Sequence, residues 1–397
     1  MKENAIALEI SHKYLKILFG YVLDGQVVVN YVKKVPLNHA IENGAIKDRA
    51  SIIKELSKIN PISDSTYHVN QLIDNAILVL PPYGLEVYQT KQITSVISPE
   101  KIVGELDVKN IYSIIRNKRL PVDNELIDII PDAFVLDNGE RYALPPVGKE
   151  SSAITAYAKV HTLPKRINSE YTDCLKSSNI QVSRRVVAPF AVSELLATYQ
   201  DMPATYFLLD IGAGSTSISL VGNHQLFATR SFSWGGDNIT DSIVRSFNIS
   251  EQEAEKIKIL FGLDKRQMKF DYAVYEAKLG EEKVSYSVQA LNEIIEKELS
   301  EFVKMLKVAF EQLSNAYNIE DVSSIPLVLV GGGSNLKGLK SFLEENFTNK
   351  VQLLKIKSIG ARDSSLVNLL GAIMVNKKYP ISKNEYQPSY VNVTREE

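Results

Sequence analysis

Residues 5–33 and 205–232 follow the same plan, and this repetition constrains the fold more than any other feature. The first stretch alternates apolar and polar positions, turns near Asp24 and Gly25, and continues as QVVVNYVKKV. The second, TYFLLDIGAGSTSISLVGNHQLFATRSF, again has the pattern of strand, polar turn, strand, turn and strand. Period-two alternation interrupted by turn residues predicts β-hairpins. A plan that recurs within one chain predicts two halves of similar structure.

The remaining sequence alternates short apolar runs with amphipathic tracts, which indicates an α/β fold. Strands are expected over 74–82, which ends in prolines, and over 152–163, with a hairpin around Asn138 and Gly139. Residues 325–347, IPLVLVGGGSNLKGLKSFLEENF, predict a strand, a glycine turn and a helix. The other expected helices are 49–59, 164–178, 237–247, 251–261 and 289–317.

Capping signals set the expected ends of two helices. In SPEKIVGELDVKNIYSIIRN, Ser98 is a good N-cap and Pro99 suits the first helical position, so the helix is expected to begin there. Ser250 with Glu253 forms a capping box, and Gly262 marks the end of the same helix.

Composition excludes several classes of protein. The 397 residues suffice for two to three domain-sized units, and a net charge of −2 gives no field that attracts nucleic acid. The single cysteine, Cys174, rules out an internal disulfide framework and a Cys-rich metal site. No apolar run approaches the roughly 18 residues that span a bilayer. The first residues, MKENAIALEI, lack a signal-peptide core, so a cytoplasmic location is expected.

The second hairpin has the residue types of a phosphate-binding turn. An apolar strand ends at Asp210, and Gly212 and Gly214 allow the backbone to approach an anion closely. Ser215 and Thr216 add hydroxyl donors, and a carboxylate at the end of a strand can hold a water on Mg²⁺. An ordinary glycine-rich hairpin explains the same residues equally well.

Two further segments supply groups for a nucleotide. Gly331, Gly332 and Gly333 follow a buried strand and precede a helix that Ser334 or Asn335 can cap. Many α/β crossovers share this pattern, so alone it is weak. In SEQEAEKIKILFG, Glu255 and Lys258 lie three residues apart on one helical face. They suit ribose hydroxyls or a base, although solvated surface charge is the commoner role for such residues.

The order of these segments resembles the actin-like ATPase superfamily and, within it, the bacterial cell-division family FtsA. Residues 235–262 are similar to the stretch after the second phosphate loop of that family, and 162–195 to its connection back to the core. Residues 120–148 resemble the hairpin of the subdomain that FtsA inserts where actin has none. The similarity runs through roughly residues 5–375.

The resemblance implies an α/β, actin-like fold of two lobes, a duplicated ribonuclease-H-like core with an FtsA-type inserted subdomain. The first lobe would comprise 1–82 and, with a connecting helix, 163–203, and the inserted subdomain 83–162. The second lobe would comprise 204–236 and 320–378, with 237–319 as its outer subdomain. A disordered tail, 379–397, is expected to follow because it contains prolines, acidic ends and no apolar stripe.

The resemblance also implies ATP and Mg²⁺ in the cleft between the lobes. Asp210 and Glu9 would each hold Mg²⁺ through water. The expected nucleotide-binding residues are Glu9, Ser11, His12, Lys13, Asp210, Gly212, Ala213, Gly214, Ser215, Thr216, Gly235, Gly236, Glu255, Lys258, Gly331, Gly332, Gly333 and Ser334.

The expected site departs from the family pattern at two places. The first turn normally reads Asp, any residue, Gly, then Ser or Thr, whereas this chain has Glu9 and Ser11, which predicts loosened phosphate and Mg²⁺ contacts. Efficient members often place a glutamate before a proline to orient the attacking water. Here Ala188 precedes Pro189, and Glu194 is six residues on along a helix. Because such a base contributes about 10²–10⁴-fold in rate, slow hydrolysis at best is expected, and no catalytic residue is assigned.

Two departures concern partners. FtsA usually ends in an amphipathic membrane helix, but residues 381–397 have no apolar stripe, so membrane contact is expected to be indirect. The family often has an arginine that meets the acidic tail of FtsZ where this chain has Glu298. The candidate surface for that peptide is therefore Lys297, Lys304 and Lys307, which otherwise form a solvated helix face.

The expected function is an ATP-binding adapter of bacterial division that assembles head to tail and links FtsZ filaments to the envelope. Other division proteins would bind the 83–162 subdomain, at the inner face of the membrane or septum. A PilM-like pilus adapter is an alternative, since it shares fold and insertion. A second alternative is an actin-fold kinase that phosphorylates a small molecule. Such an enzyme needs a catalytic aspartate, and the sequence shows no convincing candidate between the two lobes.

Overall fold

The computed structural model describes residues 4–37, 39–263, 271–279 and 282–379. The expected disordered tail lies outside them, except for Tyr379. Element bounds follow in chain order, beginning with the part before the inserted sheet. These elements are β1 (Ala5–Ile10), β2 (Tyr14–Leu23), β3 (Gln26–Pro36), β4 (Ile41–Glu42), β5 (Ala45–Ile46), α1 (Arg49–Lys58), β6 (Ile62–Asp64), β7 (Val69–Gln71) and β8 (Asn75–Leu80).

The chain then forms a separate sheet before it returns to the first one. The elements of this excursion are β9 (Glu86–Ser95), α2 (Glu105–Arg116), β10 (Asn124–Leu136), β11 (Arg141–Tyr142) and β12 (Ala153–Pro164). The return consists of α3 (Lys165–Ser177), β13 (Gln181–Val187) and α4 (Ala188–Leu196).

The second half begins with the repeated hairpin. Its elements are β14 (Tyr206–Ile211), β15 (Thr216–Gly222), β16 (Gln225–Phe232), α5 (Gly236–Phe247), α6 (Glu251–Phe261), β17 (Ala273–Leu279), β18 (Glu282–Ser287), α7 (Val288–Ala316), β19 (Leu327–Val330), α8 (Leu339–Asn346), β20 (Val351–Leu353) and α9 (Val367–Lys378). Short 3₁₀ turns are Val322–Ser324, Gly332–Asn335 and Ser364–Leu366.

The two main sheets have the same topology, as the sequence repeat predicts. The first has the order β13-β8-β1-β2-β3 and the second β20-β19-β14-β15-β16. In each, the opening hairpin strands pair antiparallel, and the first hairpin strand then pairs parallel with a later strand, β8 or β19. The turns that follow β1 and β14 therefore lie at equivalent edges of the two sheets, where ligands of α/β folds bind.

The inserted part is an antiparallel sheet with its own small core. The strand order is β11-β10-β12-β9, and Ile111, Phe134 and Ile154 are completely buried in it. Helix α2 begins at Glu105 with Gly104 as its N-cap, so the prediction of a start at Ser98 and Pro99 is wrong. The reason is tertiary: residues 101–103 pair with 148–151, and Ile102 forms a β-bridge to Glu150, which holds this segment out of the helix.

Two large apolar clusters form the cores of the two halves, and helices α4 and α9 pack together at their junction. Every residue of α4 is buried. The helices approach so closely that a Cβ on Gly371 would lie 2.1 Å from the carbonyl oxygen of Ala191. Cys174 is buried among apolar side chains, and burial raises the pKa of its thiol to about 11. It therefore packs as a small apolar residue.

Candidate functional site

A cavity of about 520 Å³ lies between the two main sheets, bounded by the turns after β1 and β14. It brings together most of the residues predicted from the sequence. Those that line it are Glu9, Ser11, His12, Lys13, Asp210, Gly212, Ala213, Gly214, Ser215, Thr216, Gly236, Glu255, Lys258, Gly331, Gly332 and Gly333. Gly235 and Ser334 lie behind this lining. Ser334 is buried and its hydroxyl donates to the carbonyl of Gly331 at 2.7 Å, so it supports the turn and does not cap helix α8, which begins at Leu339.

The first turn is closed by Ser11. Its amide donates to the carbonyl of Tyr14 at 2.9 Å, its hydroxyl donates to the same carbonyl at 2.7 Å, and the amide of Tyr14 donates back to the hydroxyl at 3.3 Å. Ser11 is not among the residues with positive φ, so this position does not need glycine. Within the described residues, the amides of His12 and Lys13 have no hydrogen-bond partner and are free for an anion.

The second turn is closed by one bond, from the amide of Gly212 to the carbonyl of Ser215 at 2.9 Å. In the part of the chain described, the amides of Ala213, Gly214 and Ser215 have no partner. Consecutive free amides in a turn make an anion-binding concavity. The ring of His12 lies against Gly214, where a Cβ would come within 2.6 Å of it. The two turns are therefore in direct contact across the cleft.

The start of helix α5 holds the second turn from behind. The amide of Gly236 donates to the carbonyl of Gly212 at 3.0 Å, and that of Asp237 donates to Ala213 at 2.8 Å. Gly235 must be glycine here because a Cβ would lie 2.2 Å from the carbonyl oxygen of Ala213. Gly235 is thus a packing requirement of the second turn, whereas a Cβ on Gly236 would make only ordinary contacts, the nearest at 3.4 Å from Nζ of Lys258.

Acidic groups meet at the floor of the cleft. Lys16 pairs with Oε2 of Glu9 at 3.0 Å, and the amide nitrogen of Asn368 donates to Oε1 of Glu9 at 3.0 Å. Burial, and then the charge of Glu9, raise the pKa of Asp210 to about 6, against the opposing effects of Lys16 and Asn368. Glu9 is therefore held in place by two partners, while Asp210 is a carboxylate whose charge is poorly compensated.

Opposite this floor, a polar network joins helices α5 and α6. The ammonium of Lys258 is buried and donates to the carbonyl of Gly236, the hydroxyl of Thr240 and the carboxylate of Glu255 at 2.7–2.9 Å. Thr240 also donates to Glu255 at 2.7 Å. Burial raises the pKa of Glu255, but Lys258, Thr240 and Lys13 outweigh it and lower the pKa overall. Glu255 and Lys258 are thus fixed residues of the cleft wall and not solvated surface charge.

Lys13 connects the two halves. Its ammonium lies 2.9 Å from Asp237, 3.4 Å from Glu255 and 3.6 Å from Glu251. Burial lowers the pKa of Lys13, but the hydrogen bond and charge of Asp237, with the two glutamates, raise it overall. Lys13 is therefore a fully charged group beside both turns.

The residues present fit a magnesium nucleotide. Five free turn amides, with Lys13 and Lys16, suit phosphate oxygens. The side-chain oxygen of Asn368 is buried without a partner, next to the Glu9 and Asp210 carboxylates. Such a group of acceptors matches the water shell that Mg²⁺ usually keeps. A Cβ on Gly332 would meet only Ser365, at 3.5 Å, so the cleft is open beside this glycine. The glycine turn therefore forms a flat wall of the cleft.

Ala188 lines the cleft at the start of helix α4, so the position that lacks a glutamate does face the site. Glu194 does not line the cleft. Its carboxylate accepts from Lys378 at 2.6 Å and from the hydroxyl of Tyr379 at 3.1 Å, and it borders a separate, smaller pocket.

Sequence reasoning missed Lys16, Asn368, Asp237 and Thr240. The sequence could have identified Lys16 as a candidate site residue, because it is a charged residue in the middle of the apolar run YLKILFG. Asn368 and Asp237 carry no such signal, since each meets its partners through contacts more than two hundred residues away in sequence.

Comparison with known sequences supports one family. A family model for "Cell division protein FtsA" matches residues 207–371. The chain is 22% identical to the cell division protein FtsA of Enterococcus faecalis, over 95% of this chain and 85% of that protein. It is 23% identical to the FtsA of Bacillus subtilis, over 94% of this chain and 83% of that protein.

Solved structures agree on the fold. A PilM–PilN type IV pilus biogenesis complex matches with a TM-score of 0.61 and 18% identity, over 94% of this chain and 98% of that one. MreB5 of Spiroplasma citri bound to ADP matches with a TM-score of 0.52 and 12% identity, over 95% and 97%. These neighbours establish an actin-like fold. Among the described residues, no helix has both the length and the apolar character needed to cross a bilayer.

Proposed function

The chain is related to the FtsA cell-division proteins, and from this premise we propose that it is a nucleotide-binding cytoskeletal adapter of bacterial division. One observation carries the proposal: two turns with free amides face each other across a cleft, beside Lys13, Asp210 and Glu9. ATP with Mg²⁺ is the ligand that this arrangement suits. The turn amides and Lys13 would hold phosphates, Asp210 and Glu9 the hydrated Mg²⁺, and Glu255 and Lys258 the ribose side.

Hydrolysis is proposed to be slow. Ala188 occupies the cleft position at which a glutamate would orient water, and its methyl group accepts no hydrogen bond. Loss of a general base typically costs about 10²–10⁴-fold in rate, without removing the groups that bind the ligand. Nucleotide would then act chiefly by holding the two halves together.

We further propose head-to-tail self-assembly that depends on the closed cleft. The ion pair between Lys13 and Asp237 and the packing of His12 on Gly214 join the first and second halves at the turns. A ligand that binds both turns stabilises this relative orientation. Because head-to-tail contacts propagate only when successive subunits have the same shape, closure would favour filaments.

The proposed contact for the acidic tail of FtsZ is the outer face of helix α7. Lys297, Lys304 and Lys307 are exposed on it. Glu298 is turned toward α5, where it accepts from the hydroxyl of Ser242 at 2.6 Å, and the guanidinium of Arg245 lies 2.8 Å from the same hydroxyl. Glu298 is thus partly engaged, which reduces its repulsion of an acidic peptide. Such a contact, with other partners on residues 83–162, would locate the protein at the inner face of the membrane or septum.

A single preparation tests these proposals. The purified chain is incubated with Mg²⁺ and either ATP or no nucleotide, its binding of ATP is measured by equilibrium dialysis, and it is then examined by negative-stain microscopy and assayed for phosphate release. We expect nucleotide-dependent filaments with little phosphate release. Absence of nucleotide binding would overturn the central proposal, whereas binding without filaments would overturn only the assembly step. Rapid phosphate release that requires an added sugar or glycerol would indicate a kinase instead.

The partner is tested by a pull-down with the carboxy-terminal peptide of FtsZ, and with a peptide from a pilus inner-membrane protein as comparison. Changing Lys297, Lys304 and Lys307 together to Gln should reduce capture of the FtsZ peptide. Capture of the pilus peptide alone would contradict the assignment to division.

A further inference from the structure

Two histidines and an aspartate from different halves of the chain meet at the mouth of the cleft. His12 follows β1, His39 follows β3, and Asp237 is in the first turn of α5. Nε2 of His12 lies 3.1 Å from Nδ1 of His39 and 3.7 Å from Oδ2 of Asp237. One ligand-type atom from each residue lies within 4.8 Å of the other two.

The hydrogen bond at the other side of the His12 ring fixes which nitrogen carries the proton. Nδ1 of His12 lies 2.7 Å from the carbonyl oxygen of Ile41, which can only accept. Nδ1 is therefore the protonated nitrogen of the neutral ring, and the lone pair is on Nε2. A backbone carbonyl on the far nitrogen is the usual way in which proteins orient a metal-binding histidine.

Asp237 supplies a buried acceptor that lacks a partner. Its side chain is only 9% exposed, and Lys13 occupies Oδ1 at 2.9 Å. Oδ2 is buried and has no hydrogen-bond partner among the described residues, yet it is directed at Nε2 of His12. Leaving a buried charged oxygen unpaired is costly, so this atom itself indicates a missing cation or donor.

The surroundings of His39 place a second lone pair at the same point. Its Nε2 lies 4.0 Å from the carboxylate of Glu251, and we take this nitrogen to carry the proton. The lone pair is then on Nδ1, which faces Nε2 of His12 at 3.1 Å. In this tautomer two nitrogen lone pairs and a carboxylate oxygen converge without a donor between them, an arrangement that suits a metal ion.

We propose that His12, His39 and Asp237 bind a divalent first-row transition metal, with Zn²⁺ as the best match. Bond lengths of about 2.0–2.2 Å in a tetrahedral zinc site separate neighbouring ligand atoms by about 3.3 Å. The two observed separations, 3.1 and 3.7 Å, bracket this value. Imidazole ligands favour zinc over magnesium, so this site differs in chemistry from the oxygen-lined floor at Glu9 and Asp210.

The local charge balance also suits a cation. Asp237, Glu251 and Glu255 carry three negative charges, and Lys13 and Lys258 carry two positive charges, so the sum is −3 + 2 = −1. The ligands come from both halves, so the metal would hold the cleft closed without nucleotide. The mouth of the cleft would thereby respond to metal supply even when no nucleotide is bound.

The test uses chelator-treated full-length chain without nucleotide, titrated with Zn²⁺ by calorimetry and with Co²⁺ by visible absorption. His39→Asn removes one ligand, and His68→Asn is its matched control. Both histidines are exposed, and both have left-handed backbone, with φ of 49° and 51°, that asparagine tolerates. We expect the unaltered chain and His68→Asn to bind one equivalent of Zn²⁺, and His39→Asn to bind about tenfold or more weakly.

Asp237→Asn provides the second half of the test, because it keeps the size of the side chain and should weaken Zn²⁺ binding and alter the Co²⁺ spectrum. Equal affinity in His39→Asn and His68→Asn, or no stoichiometric binding by the unaltered chain, would overturn the proposal and leave an ion pair of protonated His12 with Asp237. The titrations contain no nucleotide, so failure of the proposed ATP site does not affect them.

Discussion

The requirement for glycine behind the second turn gives a sharp prediction, because the chain contains a matched control. Gly235 and Gly104 are both N-caps of helices, with extended backbone and φ of −160° and −110°. Each amide donates to the side chain three residues on, at 2.9 and 2.8 Å. A Cβ on Gly104 would meet only Asp107, at 3.7 Å, whereas one on Gly235 would lie 2.2 Å from the carbonyl oxygen of Ala213.

The cost of Gly235→Ala follows from this distance. An ordinary contact begins at 3.4 Å, so the turn must move by about 3.4 − 2.2 = 1.2 Å. Such a shift breaks the bonds from Gly236 to Gly212 and from Asp237 to Ala213, now 3.0 and 2.8 Å long. Two hydrogen bonds at about 1 kcal/mol each and overpacking of about 1 kcal/mol or more give about 3 kcal/mol. The loss of the glycine cap itself is common to both variants and cancels.

Differential scanning calorimetry of the two variants measures the difference. For a cooperative unit of about 150–250 residues, a loss of about 3 kcal/mol corresponds to a Tm lowered by about 6–12 °C. Gly104→Ala should melt close to the unaltered chain. A Tm of Gly235→Ala within about 2 °C of that of Gly104→Ala would refute the view that α5 holds the second turn rigidly.

Three further predictions follow from charged and cleft residues. In a denaturant titration, Lys258→Met should lower the free energy of unfolding by about 2–3 kcal/mol, because a buried ammonium with three acceptors is lost. Lys304→Met is the control, because it disrupts an exposed ion pair of the same i,i+3 spacing. It should lower the free energy of unfolding by less than about 1 kcal/mol. Ala188→Glu should raise the rate of phosphate release by about tenfold or more, and Ala188→Gln, of equal size, should not. Because burial and the charge of Glu9 raise the pKa of Asp210 from 3.8 to about 6, the folded chain binds this proton more tightly than the unfolded chain. Stability in magnesium-free buffer should therefore fall as the pH rises from about 4 to 6, by at most about 1.4 kcal/mol per pH unit from this group, and Asp210→Asn should remove this contribution; an unchanged slope in that variant would contradict the assignment.

Local patterns predicted the elements that depend on local energetics. The paired hairpins, the capping box at Ser250 and the end of α6 at Gly262 lie where the sequence places them. The start of α2 was predicted wrongly because a good N-cap, Ser98, competes with strand pairing to residues 148–151, which local sequence does not reveal. Tertiary contacts override local propensity at such places.

The same distinction applies to the cleft. The glycines and Asp210 were identifiable because a turn that approaches an anion needs those residue types next to each other in sequence. Asn368, Asp237 and His39 were not, because their roles arise only when helices and loops remote in sequence meet the first turn. Residues that complete a site across two halves of a duplicated fold have no local signature.

The most direct test of nucleotide binding between the two halves is a crystal structure of the chain grown with Mg²⁺ and a non-hydrolysable ATP analogue. We expect phosphate density within hydrogen-bonding distance of the amides of His12, Lys13 and Ala213–Ser215, and Mg²⁺ near Asp210. A cleft without the analogue at saturating concentration, or an analogue bound elsewhere on the chain, would contradict this expectation.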